Sequence, residues 1–226
     1  MDLQAWNYAF ANLKPAERLD YLYLHFDPSE VLFTSSFGTT SAVLLHLIAE
    51  VNPKQKVHFI NTGYLFDETI QYRNQLTERL GLEVVEVNPD PQMAAVTRSE
   101  QTWISDPDLC CTINKVMPLD DIKGDYKIWL TGLMGHQSRT RANFQLFEHG
   151  ETIKFNVLVD FGQPEIDQYF AQNDLPLHPL MKLGYQSVGC THCTRAGKGR
   201  SGRWQGQAKT ECGLHTARKQ PALLNR

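Results

Sequence analysis

Apolar positions recur along the first half of the chain with two alternating periods. Residues 15–25 (PAERLDYLYLH) carry the 3.6-residue period of an amphipathic helix with Pro15 in its first turn, and the opening MDLQAWNYAFANL has the same character over a shorter stretch. EVLFTSS (30–36) is a short run of strand type. TTSAVLLHLIAEV (39–51) predicts a largely buried helix, and KVHFIN (56–61) a second strand. FDETIQYRNQLTERL (66–80) predicts a third helix stopped by Gly81, and LEVVEV (82–87) and KIWLTGL (127–133) supply two more strands. Apolar strands alternating with helices fit a parallel sheet covered by helices on both faces, with ligands bound at the carboxyl ends of the strands. The expected fold class is therefore α/β. Beyond about Leu183 the period is lost in a stretch rich in Gly, Arg and Lys, which predicts an irregular, mobile tail.

Composition narrows the class of protein without choosing a function. The 226 residues suffice for one domain with appended segments, burying roughly 70 to 75 per cent of the unfolded surface. Hydrophobic residues make up 42% and charged residues 21%, with a mean hydropathy of -0.38, as in soluble globular proteins. No apolar run approaches the ~18 residues of a membrane span, and the opening lacks the basic-then-apolar order of a signal peptide, so a cytoplasmic protein is expected. The net charge of -3 hides an asymmetry: residues 182–226 hold nine Lys or Arg and one acid, Glu211. A cationic end of this kind suits an anionic partner, either a nucleic acid or a small phosphorylated or sulfated molecule.

Chemistry concentrates in two loops and five cysteines. SSFGTTS (35–41) lies where a strand gives way to a helix, so its hydroxyls, Gly38 and the helix amides offer a seat for an anion; a Ser/Thr turn that merely caps the helix has the same composition. It contains neither the Walker A pattern nor the dinucleotide glycine fingerprint. NTGYLFD (61–67) again follows a strand and points to the same sheet edge.

Four cysteines fall in two pairs, Cys110-Cys111 and Cys190-x-x-Cys193, and a fifth, Cys212, stands alone in the cationic region. The pairs together supply the four thiolates of a zinc or iron-sulfur site. Neighbouring side chains on a helix splay by about 100 degrees, which suits a cluster better than one ion; buried apolar cysteines or a disulfide are the alternatives. Lys115 follows Cys111 by one helical turn, a spacing shared by an exposed helix lysine and by a cation placed between cluster and anion. Cys212 lies among Lys209, Glu211 and His215; positive charge there lowers a thiol's pKa and makes its thiolate nucleophilic, and a surface thiol without a role is the alternative.

SSFGTTS, the NTG loop, Cys110-Cys111 with Lys115, TGLMGHQSRTR (131–141), GCTHCTRA (189–196), GRW (202–204) and ECGLH (211–215) together resemble the assimilatory adenylyl-sulfate and phosphoadenylyl-sulfate reductases, in order, over residues 30–216. The resemblance implies an adenine-nucleotide alpha-hydrolase fold of the ATP-pyrophosphatase (PP-loop) type. Residues 1–183 would form the nucleotide-binding reductase domain, and 184–226 a basic segment carrying two cluster cysteines and the catalytic one. By the same resemblance Cys212 attacks the sulfate sulfur of adenylyl sulfate (APS) or its 3'-phosphorylated form (PAPS), AMP leaves, and thioredoxin or glutaredoxin releases sulfite. Cys110, Cys111, Cys190 and Cys193 would hold a 4Fe-4S cluster, the mark of the branch that generally uses adenylyl sulfate. Lys115, Arg141, Arg200, Arg203 and His215 would contact the phosphosulfate, while Ser35, Ser36, Gly38, Thr62, Gly63 and Gly132 surround the nucleotide. A homo-oligomer with no nucleic-acid or membrane partner is expected.

Three features depart from the family pattern. Met134-Gly135-His136 stand where two arginines and an acid are frequent, Asn61 replaces the Asp of Asp-Thr-Gly, and the segment from Cys193 to Arg200 is short. Two other functions share parts of this sequence logic. An ATP-dependent tRNA-thiolation enzyme with an iron-sulfur cluster would have the same fold but a Ser-Gly-Gly-x-Asp-Ser loop, whereas this chain has Phe37, Thr39 and Thr40. A zinc-stapled nucleic-acid binder would interleave its basic residues with more aromatics than Trp204 alone provides.

Overall fold

The computed structural model describes residues 2–207 and 209–215. Two helices, α1 (Leu3–Phe10) and α2 (Pro15–His25), precede the sheet; Asp2 caps α1 by accepting from the Gln4 and Ala5 amides. Then come β1 (Val31–Ser35), α3 (Ser41–Val51), β2 (Val57–Ile60), α4 (Asp67–Leu80) and β3 (Val84–Val87). A helical run the periodicity does not resolve follows: α5 (Pro91–Ser99), α6 (Thr102–Ser105), α7 (Pro107–Cys111), a π-helical turn at Thr112–Val116, and α8 (Met117–Lys123). The body closes with β4 (Ile128–Thr131), β5 (Phe147–Glu148), β6 (Ile153–Asn156) and α9 (Gln163–Gln172).

The six strands form one sheet in the order β3-β2-β1-β4-β6-β5, parallel except for the short edge strand β5. Strand alternation divides the core. Val31, Phe33, Val57, Phe59, Ile128 and Leu130 face the large apolar cluster that takes in α1 to α4 and α9. Leu32 and Trp129 face the other side, where Leu119 of α8 covers them. Both faces of the central strands β1 and β4 are covered, which is why these two read as nearly continuous apolar runs. The N-terminal helices are tied down by Arg18. Its buried guanidinium donates to the Phe10, Ala11 and Val157 carbonyls and pairs with Asp160 at 2.6 Å. Among the described residues no helix is long and apolar enough to cross a membrane.

The described residues of 184–215 hold no α-helix and no strand, only a 3-10 turn at Thr191–Cys193, but where the lost period suggests a mobile tail they are docked on the body. Cys190 bridges to Leu65, the Thr191 amide donates to the Tyr64 carbonyl at 2.8 Å, and Trp204 is buried. An anchored segment needs no period of its own when its backbone hydrogen bonds find partners in another element.

Candidate active site

β1 and β4 end side by side at the middle of the sheet, and the loops leaving them open into a cavity of about 1020 Å³. Ser35, Ser36, Gly38, Thr39, Thr40 and Ser41 line it from the β1 loop, and Gly132 from the loop after β4. The β1 loop is shaped by Phe37, whose ring is buried against Phe59 and whose backbone is left-handed (φ 47°), with its amide donating to Ser35 Oγ. No side chain caps α3; in its first turn the Ser41 amide donates to the Gly38 carbonyl at 3.0 Å and the Val43 amide to the Thr40 carbonyl at 3.3 Å. The Ser/Thr loop thus lines the cavity with its hydroxyls rather than capping the helix with a side chain. Thr62 and Gly63 do not line this cavity. The Thr62 hydroxyl instead lies 3.3 Å from the Cys190 sulfur and accepts from the Tyr64 amide.

Cys110, Cys111, Cys190 and Cys193 line a second, smaller cavity together with Tyr64, Trp103, Asn114 and His192. None of the five cysteines is in a disulfide, and His192 stacks on Trp103 at 4.0 Å over this site. Asn114 Nδ2 lies 3.7 Å from Cys110 Sγ. Among the described residues no group of three or more His, Cys, Asp or Glu side chains is arranged to hold a metal ion. Burial pushes the Cys110 thiol up to about 11 and the Cys111 thiol up to about 12, so these sulfurs stay protonated until a cation compensates them.

Lys115 lines both cavities. It reaches this position through the π-helical turn that follows Cys111, a wider turn than the α-helical spacing predicts. Burial opposes its charge, but where the Cys190, Cys212 and Cys111 sulfurs are thiolates their negative charge outweighs burial and raises the ammonium above its ordinary value.

The C-terminal segment brings its charged residues to the large cavity: Arg200, Arg203, Glu211, Cys212 and His215 all line it, with Arg141 paired to Glu211. Arg203 lies over the Trp204 ring at 4.5 Å and donates to Ser187 Oγ and the Val188 carbonyl at 3.3 Å each, with its Nε buried and unpartnered. His215 stacks on Trp129 at 5.2 Å and is neutral, because burial and then Lys154 hold it well below its ordinary value. Gly213 packs on the π-helical turn. A Cβ there would sit 3.4 Å from Val116 Cγ2, on a backbone whose φ of +91° side chains rarely adopt.

Cys212 differs from the cavity cysteines. Burial acts to raise its thiol, but Lys115, the Leu214 amide and Arg203 outweigh it and leave the thiol below its ordinary value. Arg141 and Arg200 are engaged with a protein acid, Glu211, which the motif reading placed beside the cysteine without a partner.

The departures also find physical reasons. Asn61 keeps the acceptor for the Gly63 amide while its Nδ2 donates to Glu86 at 3.2 Å, a contact an aspartate would turn into repulsion. Met134 is buried, Gly135 donates to the Val159 carbonyl in space where a Cβ would lie 3.0 Å from that oxygen, and only His136 of the three faces the cavity. Trp129 lies outside every motif quoted above, and Gln137 and Ser138 lie within TGLMGHQSRTR with no role assigned there; the tertiary fold brings Trp129 to His215, Ser138 to Glu211 and Gln137 to Arg141.

A mainly parallel sheet with a polar, cation-rimmed cavity at the carboxyl ends of its central strands defines an α/β protein of nucleotide-binding type. The phosphoadenosine phosphosulfate reductase domain matches residues 30–196. The chain belongs to this reductase family. It is 43% identical over 196 residues to adenosine 5'-phosphosulfate reductase of Chelativorans sp. (strain BNC1), covering 84% of this chain and 80% of that protein. The Bacillus mycoides (strain KBAB4) adenosine 5'-phosphosulfate reductase is 38% identical over 196 residues, 82% of this chain and 84% of its own. Among solved structures, phosphoadenylyl-sulfate reductase from Candida auris, a phosphate complex, superposes with a TM-score of 0.70 at 25% identity, covering 84% of this chain and 94% of the other. FMN adenylyltransferase from Candida glabrata shares the fold alone, with a TM-score of 0.57 at 15% identity over 85% of this chain and 66% of its own.

Proposed function

We propose that this chain reduces adenylyl sulfate to sulfite and AMP in sulfate assimilation, with Cys212 as the nucleophile and a thioredoxin-type dithiol as the electron source. The observation that carries the reading is that Cys212 shares one cavity with Lys115, Arg141, Arg200 and Arg203, and the contrast among the thiols supports it. Burial pushes Cys110, Cys111 and Cys193 up, whereas Lys115 and Arg203 help bring Cys212 down on the rim of a nucleotide-sized cavity. The names of the relatives support adenylyl sulfate as substrate.

In the proposed reaction the nucleotide lies along the Ser35–Ser41 loop and Gly132, with its phosphosulfate toward Lys115, Arg141, Arg200 and Arg203. The Cys212 thiolate forms a bond to the sulfate sulfur. The bond from that sulfur to the bridging oxygen breaks, AMP leaves with the electron pair, and S-sulfocysteine remains. A thiolate of the dithiol then attacks Cys212 Sγ and expels sulfite, and its second thiol resolves the mixed disulfide, so that two electrons pass from the dithiol to sulfur. The cations are needed because an anionic electrophile repels a thiolate, and because charge grows on the leaving phosphate as the bond breaks. Stacking of neutral His215 on Trp129 keeps the segment over the cavity.

The four cavity cysteines suit a 4Fe-4S cluster: they are free, they come from two segments, and Thr62 and Asn114 lie at hydrogen-bonding distance from two of the sulfurs. When bound, the cluster supplies a fixed charge that orders the site. Reduced thiols and a thiol-protein reductant belong in the cytoplasm. Intact-mass analysis of anaerobically prepared protein after adenylyl sulfate treatment should find SO3 added at Cys212, with about four irons per chain. Cys212→Ser should lose the adduct and sulfite release while keeping its brown colour. An adduct on another residue would sink the mechanism, and a colourless zinc protein would sink the cluster assignment alone.

A further inference from the structure

Glu211 is a buried acid one residue before the proposed nucleophile, enclosed by donors. Arg141 meets it in a two-pronged contact, Nε to Oε1 at 2.9 Å and Nη2 to Oε2 at 2.8 Å. Arg200 Nη2 donates to Oε2 at 3.0 Å, and the Ser138 hydroxyl donates to Oε1 at 3.1 Å. The remaining nitrogen of the Arg141 fork, Nη1, donates to Gln137 Oε1 at 2.6 Å. The edge of Arg141 that matches an oxyanion is thus filled by the protein's own carboxylate, and a guanidinium edge takes one bidentate oxyanion at a time. Glu211, Arg141 and Arg200 all line the large cavity, so this ion-paired group stands where a bound anion would meet the same cations.

We propose that Glu211 is a positioning residue that serves as an internal stand-in for the substrate's anionic group: it docks the Cys212 segment by occupying Arg141 and Arg200, and a sulfated nucleotide enters by displacing it. The proposal rests on the reductase reading above and adds how the site changes on binding. The other end of the segment has an independent anchor, because Leu214 packs with Leu32, Leu119 and Trp129 while His215 stacks on Trp129. Losing the Glu211 contact therefore frees one end only, and Cys212 stays near the cavity while its approach to the ligand adjusts. Anion affinity is reduced by the fraction of molecules in which Glu211 holds the fork, so weakening Glu211 should tighten anion binding, the opposite of what loss of a mere strut would do.

The test uses the full-length Cys212→Ser protein, which cannot turn over, and titrates adenylyl sulfate, AMP and adenosine by calorimetry. Adding Glu211→Gln should tighten adenylyl sulfate by about tenfold, Glu211→Asp should restore most of the parental value, and adenosine, which lacks the anion, should bind all of them alike. Ser138→Ala, which removes one donor without touching a charge, should tighten adenylyl sulfate by about threefold and decides the matter if Glu211→Gln does not fold. Unchanged or weaker adenylyl sulfate binding in the folded variants overturns the proposal and leaves the reductase reading standing. Failure of the Cys212→Ser parent to bind adenylyl sulfate at all overturns both.

Discussion

The sheet with its helices and the segment from 184 to 215 pack against each other but are built from different interactions. In the body, large side chains vanish from solvent, most of them in one large apolar cluster: Phe155 lies at 4.3 Å against Phe147, and Phe10 closes the edge of the same group. In the segment, Trp204 is the main buried aromatic, and it is surrounded by Arg200, Arg203 and Lys209 rather than by hydrocarbon. Glu211 is held by two arginines, and two of the segment's cysteines face a cavity shared with α7. Apolar burial is non-directional and gives the body its stability, whereas charge-assisted contacts are directional and place reactive atoms. The difference predicts that substitutions in the body will be read in unfolding and those in the segment in ligand binding and chemistry.

The largest effect should come from the body. Phe155→Ala removes a fully buried ring and should cost about 3–5 kcal/mol in denaturant unfolding, while Cys212 in the folded fraction still accepts the sulfo group. A loss below about 1 kcal/mol would erase the contrast, since that is the scale of a surface change. Next, Arg203→Ala should weaken adenylyl sulfate by about 1.5–3 kcal/mol through a lost charged hydrogen bond and leave the unfolding midpoint nearly unchanged. Equal affinity for ligand would remove this guanidinium from the site.

Acidification gives the subtlest separation. In the body, His178 accepts from the Leu180 amide through Nδ1, so its proton sits on Nε2 against Thr69 Oγ1, and burial pushes its value from 6.5 down to about 4. Between those values the unfolded chain binds the extra proton, so stability should fall as pH drops from about 6.5 to about 4, and His178→Gln should flatten that slope. In the segment, burial acts to raise Glu211, but Arg141 and Arg200 outweigh it and hold it below its ordinary 4.5. Its contribution is present above that value and is lost only as pH falls through the lower folded one. Unfolding followed against pH, beside intrinsic fluorescence of Trp204, should therefore show the body weakening before the segment detaches. The reverse order would mean that the ion pair is the weaker of the two.

Much of this organisation is legible in the sequence because it depends on local pattern. The strands β1, β2, β3 and β4 and the helices α2, α3 and α4 fall within a few residues of their apolar periods, and α4 does end at Gly81, whose backbone is left-handed. The helices between 91 and 123 escape because they are short, broken by Pro91, Pro107 and Pro118, and interrupted by a π-helical turn, so that no period survives long enough to read. β5 and β6 escape because Lys154 and Asn156 are polar yet buried, satisfied by Glu148, which only the folded chain brings to them.

Candidate chemistry divides the same way. Reactive residue types cluster in sequence, so the two cysteine pairs, Cys212 and the arginines of the basic segment can be named from the chain alone. What each one touches is a matter of contacts across long stretches of chain. The fold alone decides that Thr62 serves a cysteine rather than the nucleotide cavity, that Lys115 stands between the two cavities, and that Arg141 grips Glu211 seventy positions away. Periodicity is set by neighbours three or four residues apart and is therefore written locally. Directional charge pairing depends on which distant groups the packed core brings within a few ångströms, and that information exists only once the chain has folded.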